Sequence, residues 1–268
     1  SGDITGLATV NAGSGAVTLN SAGAIVDDSD ASTVVTGGVL TADAAGAITI
    51  DSTVTSADIS TSAAGAIALD ETDGITLTDL DTTDGSITVS AGGALTATDV
   101  VAGGGTGDSV TLSTTTGGAV ATLVTGADAV SITADAGDIT IGAVTATAGT
   151  LGVTATTGSI NDAADDSTVD FTAGGLITLT AQDEIGVLGS GTDTDLEFAA
   201  SSSVNVSTTG TGAIDLDGLG ALTLSDVDTA NGAITVTSAG ALTMVSGATI
   251  NSGAETISIS ATDSVALG

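Results

Sequence analysis

The chain has 268 residues and a formal net charge of −33 at pH 7, because its 33 Asp and Glu residues are matched by no Lys, Arg or His. It also lacks Cys, Pro, Trp and Tyr. This composition excludes a base that titrates near neutrality, a thiol nucleophile, disulfides and a cationic site for phosphate, so we expect no enzyme activity. The negative charge excludes nucleic acid as a partner.

Hydropathy excludes two further classes. Disorder needs low hydrophobicity as well as high charge, and the mean hydropathy here is +0.51. No run of about eighteen apolar residues is present, so we expect no membrane insertion.

The chain begins SGDITG without a Met or a signal peptide, which suggests a processed chain or a piece of a longer one. Mostly small side chains and no trypsin-type cleavage sites favour an extracellular or cell-surface location.

The predicted elements are short β-strands. The N-terminal segment SGDITGLATVNAGSGAVTL already alternates apolar residues with small or polar ones. The same period of two recurs further along, and it is typical of strands with one buried face. Clear examples are the pairs Ile67 and Leu69, Ile75 and Leu77, and Ile87 and Val89. Glycine is the main turn-forming residue between them.

Two segments repeat each other. Gly65 to Ala97 aligns without a gap with Gly212 to Met244, and eighteen of the thirty-three positions are identical. We interpret the separation between the two copies as seven periods of the repeat. Within each copy, a Gly-x-Ile motif recurs after twenty residues. Such a period predicts an all-β, single-stranded parallel β-helix (a solenoid) of about 20 residues per coil.

This architecture makes specific predictions. Parallel pairing should place Ile67 over Ile87, and Ile214 over Ile234, inside the coil. About thirteen coils stacked about 4.8 Å apart give a rod of about 60–65 Å. We expect residues 1–268 to form one continuous domain. The alternative is an antiparallel β-sandwich, which hairpin signals such as Asp84-Gly85 would favour locally.

The middle of the chain is less regular. We expect residues 99–130 and Gly158–Phe198 to break the register. Insertions in a solenoid leave at turns, so Asn161–Asp166 and Gly189–Glu197 are predicted to bulge outward. No internal cation is present to pair with the acidic residues of this or any other segment.

Some acidic residues recur at the coil period. Asp58, Asp79 and Asp99 follow each other at intervals of one period in similar contexts, and Asp226 has the matching position in the second copy. Stacked carboxylates repel each other, but they can also share a hard cation such as calcium. The candidate metal ligands are Asp58, Asp79, Asp81, Asp84, Asp99, Asp226 and Asp228. The alternative is a solvated acidic face in a saline medium.

The segments GSITVSAGGALTA and GAITVTSAGALTM resemble the repeats of filamentous-haemagglutinin-like and other large bacterial surface proteins. The resemblance implies a right-handed parallel β-helix that is secreted and acts as a stalk, adhesin shaft or fibre. The chain departs from that family in having no basic residues and no recognisable secretion domain.

These observations predict a structural extracellular β-solenoid, part of a surface fibre, sheath, filament or adhesin stalk, stabilised by divalent cations. The alternative is an adhesive or ligand-binding module for a cation-bridged glycan or for ice.

Neither terminal segment has the features of a capping structure, since coil-like alternation continues to the final ISISATDSVALG. We therefore expect head-to-tail self-association into filaments, or coverage of both ends by flanking repeats.

Overall fold

The computed structural model describes residues 2–28, 35–164, 166–186 and 195–268. It is an all-β solenoid of parallel strands, with about 12 turns and about 21 residues per turn. Within the described ranges the strands form one hydrogen-bonded sheet and there is no helix. No helix that could span a membrane therefore occurs in these ranges.

The strands are short in most coils and are named here in chain order. The first fourteen are β1 (Ile4–Leu7), β2 (Val10–Asn11), β3 (Ala16–Ser21), β4 (Ile25–Asp27), β5 (Val35–Ala44), β6 (Ile48–Ala64), β7 (Ile67–Glu71), β8 (Ile75–Asp84), β9 (Ile87–Ala91), β10 (Leu95–Ala97), β11 (Val100–Ala102), β12 (Val110–Thr114), β13 (Ala119–Gly126) and β14 (Val130–Ala134). The remaining strands are β15 (Ile139–Ala146), β16 (Leu151–Ala155), β17 (Ile160–Asp162), β18 (Phe171–Ala173), β19 (Leu176–Ala181), β20 (Leu196–Phe198), β21 (Ser202–Thr208), β22 (Ile214–Gly218), β23 (Leu222–Thr229), β24 (Ile234–Ser238), β25 (Leu242–Met244), β26 (Ile250–Asn251), β27 (Ile257–Ile259) and β28 (Val265–Ala266).

Strand pairing confirms the predicted parallel register. Ile67 pairs with Ile87 and Ile214 with Ile234, and all four side chains are buried. The segment Asp84-Gly85 joins β8 to β9 without forming a hairpin, because β9 pairs in parallel with β7. The sandwich alternative is therefore wrong.

Each coil in the first half has three faces. The first face is the ladder through Ile67 and Ile87, the second is the ladder through Ile75 and Leu95, and the third is the ladder through Leu80 and Val100. Alternate residues of every face point inward, as the two-residue period requires. Stacked inward side chains then form continuous apolar columns. The column of the third face contains Ala42, Ile59, Leu80, Val100, Val124, Val144, Phe171 and Phe198.

Glycine allows the coils to approach closely where β9 and β24 begin. A Cβ atom built on Gly85 would lie 2.4 Å from the carbonyl oxygen of Gly65, one coil below. At Gly232 it would lie 2.0 Å from the carbonyl oxygen of Gly212. Backbone atoms of the coil below leave no room for a side chain at either position, which explains why the Gly-x-Ile motif recurs at the coil period.

One detail of the predicted repeat is wrong. The stack has about 12 turns where about thirteen were expected, because two coils of the middle segment are longer than the others. In the first face Leu151 pairs with Ile177 and Ile177 with Val204, and both intervals exceed the usual turn of about 21 residues. Residues 99–130 also depart from the regular repeat, since Val100 pairs with Val124 across 24 residues, although the parallel ladders continue through this segment.

The two sequence copies lie on different faces of the solenoid. Ile67 belongs to the first face, whereas its equivalent Ile214 lies in the ladder of the second face that contains Ile75. The separation between the copies therefore spans six coils and one face, and the interpretation as seven periods is wrong. The second-face ladder from Ile75 to Ile214 passes through Leu95, Ala119, Ile139, Ile160 and Ile185.

Two lengthened connections lie between a strand of the second face and the following strand of the third face. The first separates β17 from β18, and the second separates Ile185 from β20 in the next coil. The predicted bulges were placed too widely, because Asn161, Asp162 and Glu197 are buried strand residues. Asp165 and residues 189–194 of those two predictions lie outside the described residues.

Candidate functional site

The predicted carboxylate column lies at the corner between the second and third faces. Asp58 of β6 is opposite Asp79 of β8. The backbone N–H of Leu80 donates a 3.0 Å hydrogen bond to the carbonyl oxygen of Asp99, which places Asp99 in register above Asp79. We call Asp58, Asp79 and Asp99 the exposed column, because the first two are exposed and the third is half-buried.

The exposed column is three coils long. Asp58 follows Thr41 in the ladder, and Leu123 occupies the next position above Asp99, since Val100 pairs with Val124. Adjacent strands lie about 4.8 Å apart, so each carboxylate meets a like charge on the neighbouring coil. This corner is therefore a line of negative charge with no cationic side chain anywhere in the sequence to offset it.

Asp81 adds a fourth carboxylate beside the column. Desolvation, followed by the charges of Asp79, Asp99 and Asp58, raises the pKa of Asp81. One carboxylate oxygen of Asp99, Oδ1, is buried without a hydrogen-bond partner. The negative charges of the exposed column thus make the carboxyl group of Asp81 harder to ionise.

The other predicted ligands lie elsewhere. Asp84 is opposite Ala64 at the far end of β8. Asp226 pairs with Asn205 on the first face, and Asp228 pairs with Ser207 below and Asn251 above. None of the three extends the exposed column. For Asp226 and Asp228 the reason is that the second sequence copy lies on different faces from the first.

Asp226 and Asp228 share a hydroxyl group. The side chain of Thr249 donates to Asp226 Oδ1 at 2.6 Å and lies 3.3 Å from Asp228 Oδ1. The hydrogen bond from Thr249 lowers the pKa of Asp226. Desolvation and the neighbouring charge of Asp226 raise the pKa of Asp228. This pair is satisfied by the protein itself.

The carboxylates of the described residues do not form a chelating group. In the part of the chain that the structure describes, no three acidic side chains are grouped closely enough to hold a metal ion. The exposed column is a linear array, one carboxylate per coil, which suits distributed cation binding better than a closed ligand cage. The calcium role of its residues stays a prediction.

A second acidic ladder was missed by the sequence reasoning. Asp170 precedes β18, Glu197 lies in β20 and Asp217 in β22, and they follow each other on three successive coils. Asp170 and Glu197 are 2% and 0% exposed, so both carboxyl groups are fully removed from solvent. We call Asp162, Asp170 and Glu197 the buried cluster, since Asp162 is also buried and acts electrostatically on both others.

Burial dominates the chemistry of this cluster. Desolvation raises the pKa of Asp170 to about 7, although the backbone N–H of Glu197 donates a 2.9 Å hydrogen bond to its Oδ2. Desolvation, then the adjacent Asp170, raises the pKa of Glu197 to about 10. Nearby, desolvation and the charge of Asp195 raise the pKa of Asp215 to about 6. Proton binding is therefore favoured here at neutral pH.

The available sequence signal for the buried cluster was weak. Asp170 and Glu197 lie farther apart in the sequence than Glu197 and Asp217, so no constant period connects them. The only two aromatic residues, Phe171 and Phe198, each directly follow a member of the ladder. This shared Asp/Glu-Phe dipeptide could have aligned the two coils.

Comparison with protein-family models, curated proteins and solved structures finds no match to this chain. The architecture is consistent with a β-helix repeat protein.

Proposed function

We propose that this chain is a structural module of an extracellular or cell-surface fibre, sheath, filament or adhesin stalk. The observation that supports this most strongly is the parallel ladder, in which strands pair coil upon coil from Ile4 to Ala266. Such a stack of about 12 turns, each rising about 4.8 Å, is a rod of about 58 Å. Rods of this kind bear load or set distance, as shafts of filamentous-haemagglutinin-like surface proteins would.

The extremes of the stack support self-association. Among the described residues, β1 pairs only with β4 and β28 only with β25, so each presents one strand edge without a partner in this part of the chain. Val265 and Leu267 are exposed large apolar residues beside the latter edge. A further coil would satisfy these backbone groups and cover the apolar side chains. We propose that a second copy provides it, in a head-to-tail contact that does not close and so propagates a filament.

The 268-residue chain is therefore expected to associate as its concentration rises. Size-exclusion chromatography with light scattering should show masses in multiples of 24.8 kDa. Negative-stain images should show rods that lengthen without widening. A monodisperse monomer at high concentration would contradict head-to-tail stacking, and compact particles would contradict the fibre role.

Cation stabilisation is the second part of the proposal. Divalent cations, calcium in particular, would reduce repulsion along the exposed column. We expect chelator at low ionic strength to lower the melting temperature, and millimolar calcium or added salt to restore it. Asp79→Asn removes the central charge and both of its neighbour repulsions, about 0.4–2 kcal/mol in low salt. The substitution should therefore reduce the dependence of the melting temperature on calcium and salt.

The exposed Asp135, in an internal coil, provides the matched control. Asp135→Asn removes the same charge outside the exposed column, so its melting temperature should keep the wild-type response to calcium and salt. Equal responses of the two variants would show that the column has no special role. A wild-type melting curve indifferent to chelator and salt would overturn cation stabilisation altogether.

A further inference from the structure

Two carboxyl groups of the buried cluster meet where β18 lies below β20. The backbone N–H of Glu197 donates a 2.9 Å hydrogen bond to Oδ2 of Asp170, and the backbone N–H of Asp170 donates a 3.1 Å hydrogen bond to the carbonyl oxygen of Glu197. The two side chains also contact each other. Both residues are buried, so water does not screen this contact.

The carboxyl group of Glu197 has no donor from the polypeptide. Both of its oxygens are buried without a hydrogen-bond partner among the described residues. Glu71 provides the contrast, because it is equally buried but accepts hydrogen bonds from the hydroxyl group of Ser52 at 2.5 Å and from the backbone N–H of Val54 at 3.0 Å. An ionised Glu197 would therefore bury its charge without any donor, directly beside Asp170.

The charged groups packed around this pair are all negative. They are Asp162 of β17, Asp166 in the connection before β18, Asp195 before β20, and Asp215 and Asp217 of β22. On the coil below Asp170 lies Ala143 of β15, which is uncharged. Since the sequence has no Lys, Arg or His, no cationic side chain offsets these charges. One proton held between the two carboxyl groups would remove a charge and supply the missing O–H donor.

We propose that Asp170 and Glu197 share one proton, and that this proton acts as a pH-sensitive latch between β18 and β20. While the proton is bound, one carboxyl group donates a hydrogen bond to the other across the two coils. When this part of the stack opens, both groups reach water and the proton is released to it. Alkaline pH therefore favours the open form. The latch does not depend on the proposed fibre role.

The two carboxyl groups define the pH range in which the latch responds. Burial is the main cause that raises the pKa of Asp170 to about 7 and that of Glu197 to about 10. In the open form Glu197 would titrate near its ordinary value of 4.5. From about pH 8 to about pH 9.5 the closed form therefore holds one proton that the open form lacks, and the opening constant should rise about tenfold per pH unit.

Hydrogen exchange of the full chain, measured by mass spectrometry after digestion with pepsin, tests this expectation. Protection factors in β18 and β20 of the wild type should fall about tenfold per pH unit in this range, whereas those in β12 and β14 should stay constant. Glu197→Gln places a permanent N–H donor beside Asp170, so its protection in β18 and β20 should not vary with pH. The exposed Asp135→Asn should keep the wild-type response. Equal responses of the wild type and Glu197→Gln would overturn the proposal.

Infrared spectroscopy detects the proton itself, because a protonated carboxyl group and a carboxylate absorb at different frequencies. At about pH 8 the difference spectrum between the wild type and Glu197→Gln should contain one carboxylic acid band from the wild type. A difference spectrum without this band would contradict the shared proton. If Glu197→Gln fails to fold, as judged by circular dichroism, Glu197→Met replaces it with the same expectations, since Met has a similar length and does not titrate.

Discussion

Replacing Phe198 by Ala is expected to lower the free energy of unfolding by about 3–5 kcal/mol. Phe171 and Phe198 are fully buried, and their rings stack with centroids 5.4 Å apart on successive coils. They fill the third-face column in the two strands that follow the lengthened connections. Removing one ring leaves a cavity between coils whose strands continue above and below, so the surrounding backbone has little freedom to collapse into it.

Chemical denaturation monitored by circular dichroism measures this loss. The matched control is Leu123→Ala, which shortens an exposed apolar side chain at the same corner and should change stability by less than about 0.5 kcal/mol. A repeat protein is stabilised by contacts between neighbouring coils, so the variant should also unfold less cooperatively than the wild type. Equal effects of the two substitutions would contradict the packing role of the ring pair.

Lowering the pH from about 8 to about 5 is expected to stabilise the chelator-treated protein. The folded-state pKa is raised for Glu71, Asp81, Asp170, Glu197, Asp215 and Asp228, in each case mainly by desolvation. The folded state therefore binds more protons than the unfolded state above about pH 4, and stability falls as pH rises. The loss should continue through the pKa of Asp215, about 6, and that of Asp170, about 7.

Thermal melting at constant ionic strength across this pH range shows whether the melting temperature falls as the pH rises. Asp215→Asn removes one titrating group and should flatten the profile between about pH 4 and 6. The lowered pKa of Asp226 acts in the opposite direction, but only below about pH 4, outside the range measured. A melting temperature that rises with pH from 5 to 8 would show that the buried carboxyl groups are not the dominant titrating groups.

The sequence by itself determined the architecture. Alternation of Ile, Leu and Val with small residues requires strands with one buried face, and a Gly-x-Ile motif that recurs at a fixed period requires strands to stack at that spacing. The pairing of Ile67 with Ile87 and of Asp58 with Asp79 followed directly. In these regular coils, neighbours in space are neighbours in the repeat, so local periodicity is sufficient.

Only the tertiary structure decided which face each later residue occupies. The lengthened coils place Ile214 six coils and one face after Ile67 instead of seven coils, so Ile214 lies in the ladder above Ile75 and Asp226 lies outside the exposed column. The same coils bring Asp170 against Glu197, although the chain between them is longer than one ordinary coil. The physical reason is that two strands pair when they occupy the same position in successive coils. The number of residues between them also includes the residues of the connections at the corners, so sequence distance alone does not identify the partner.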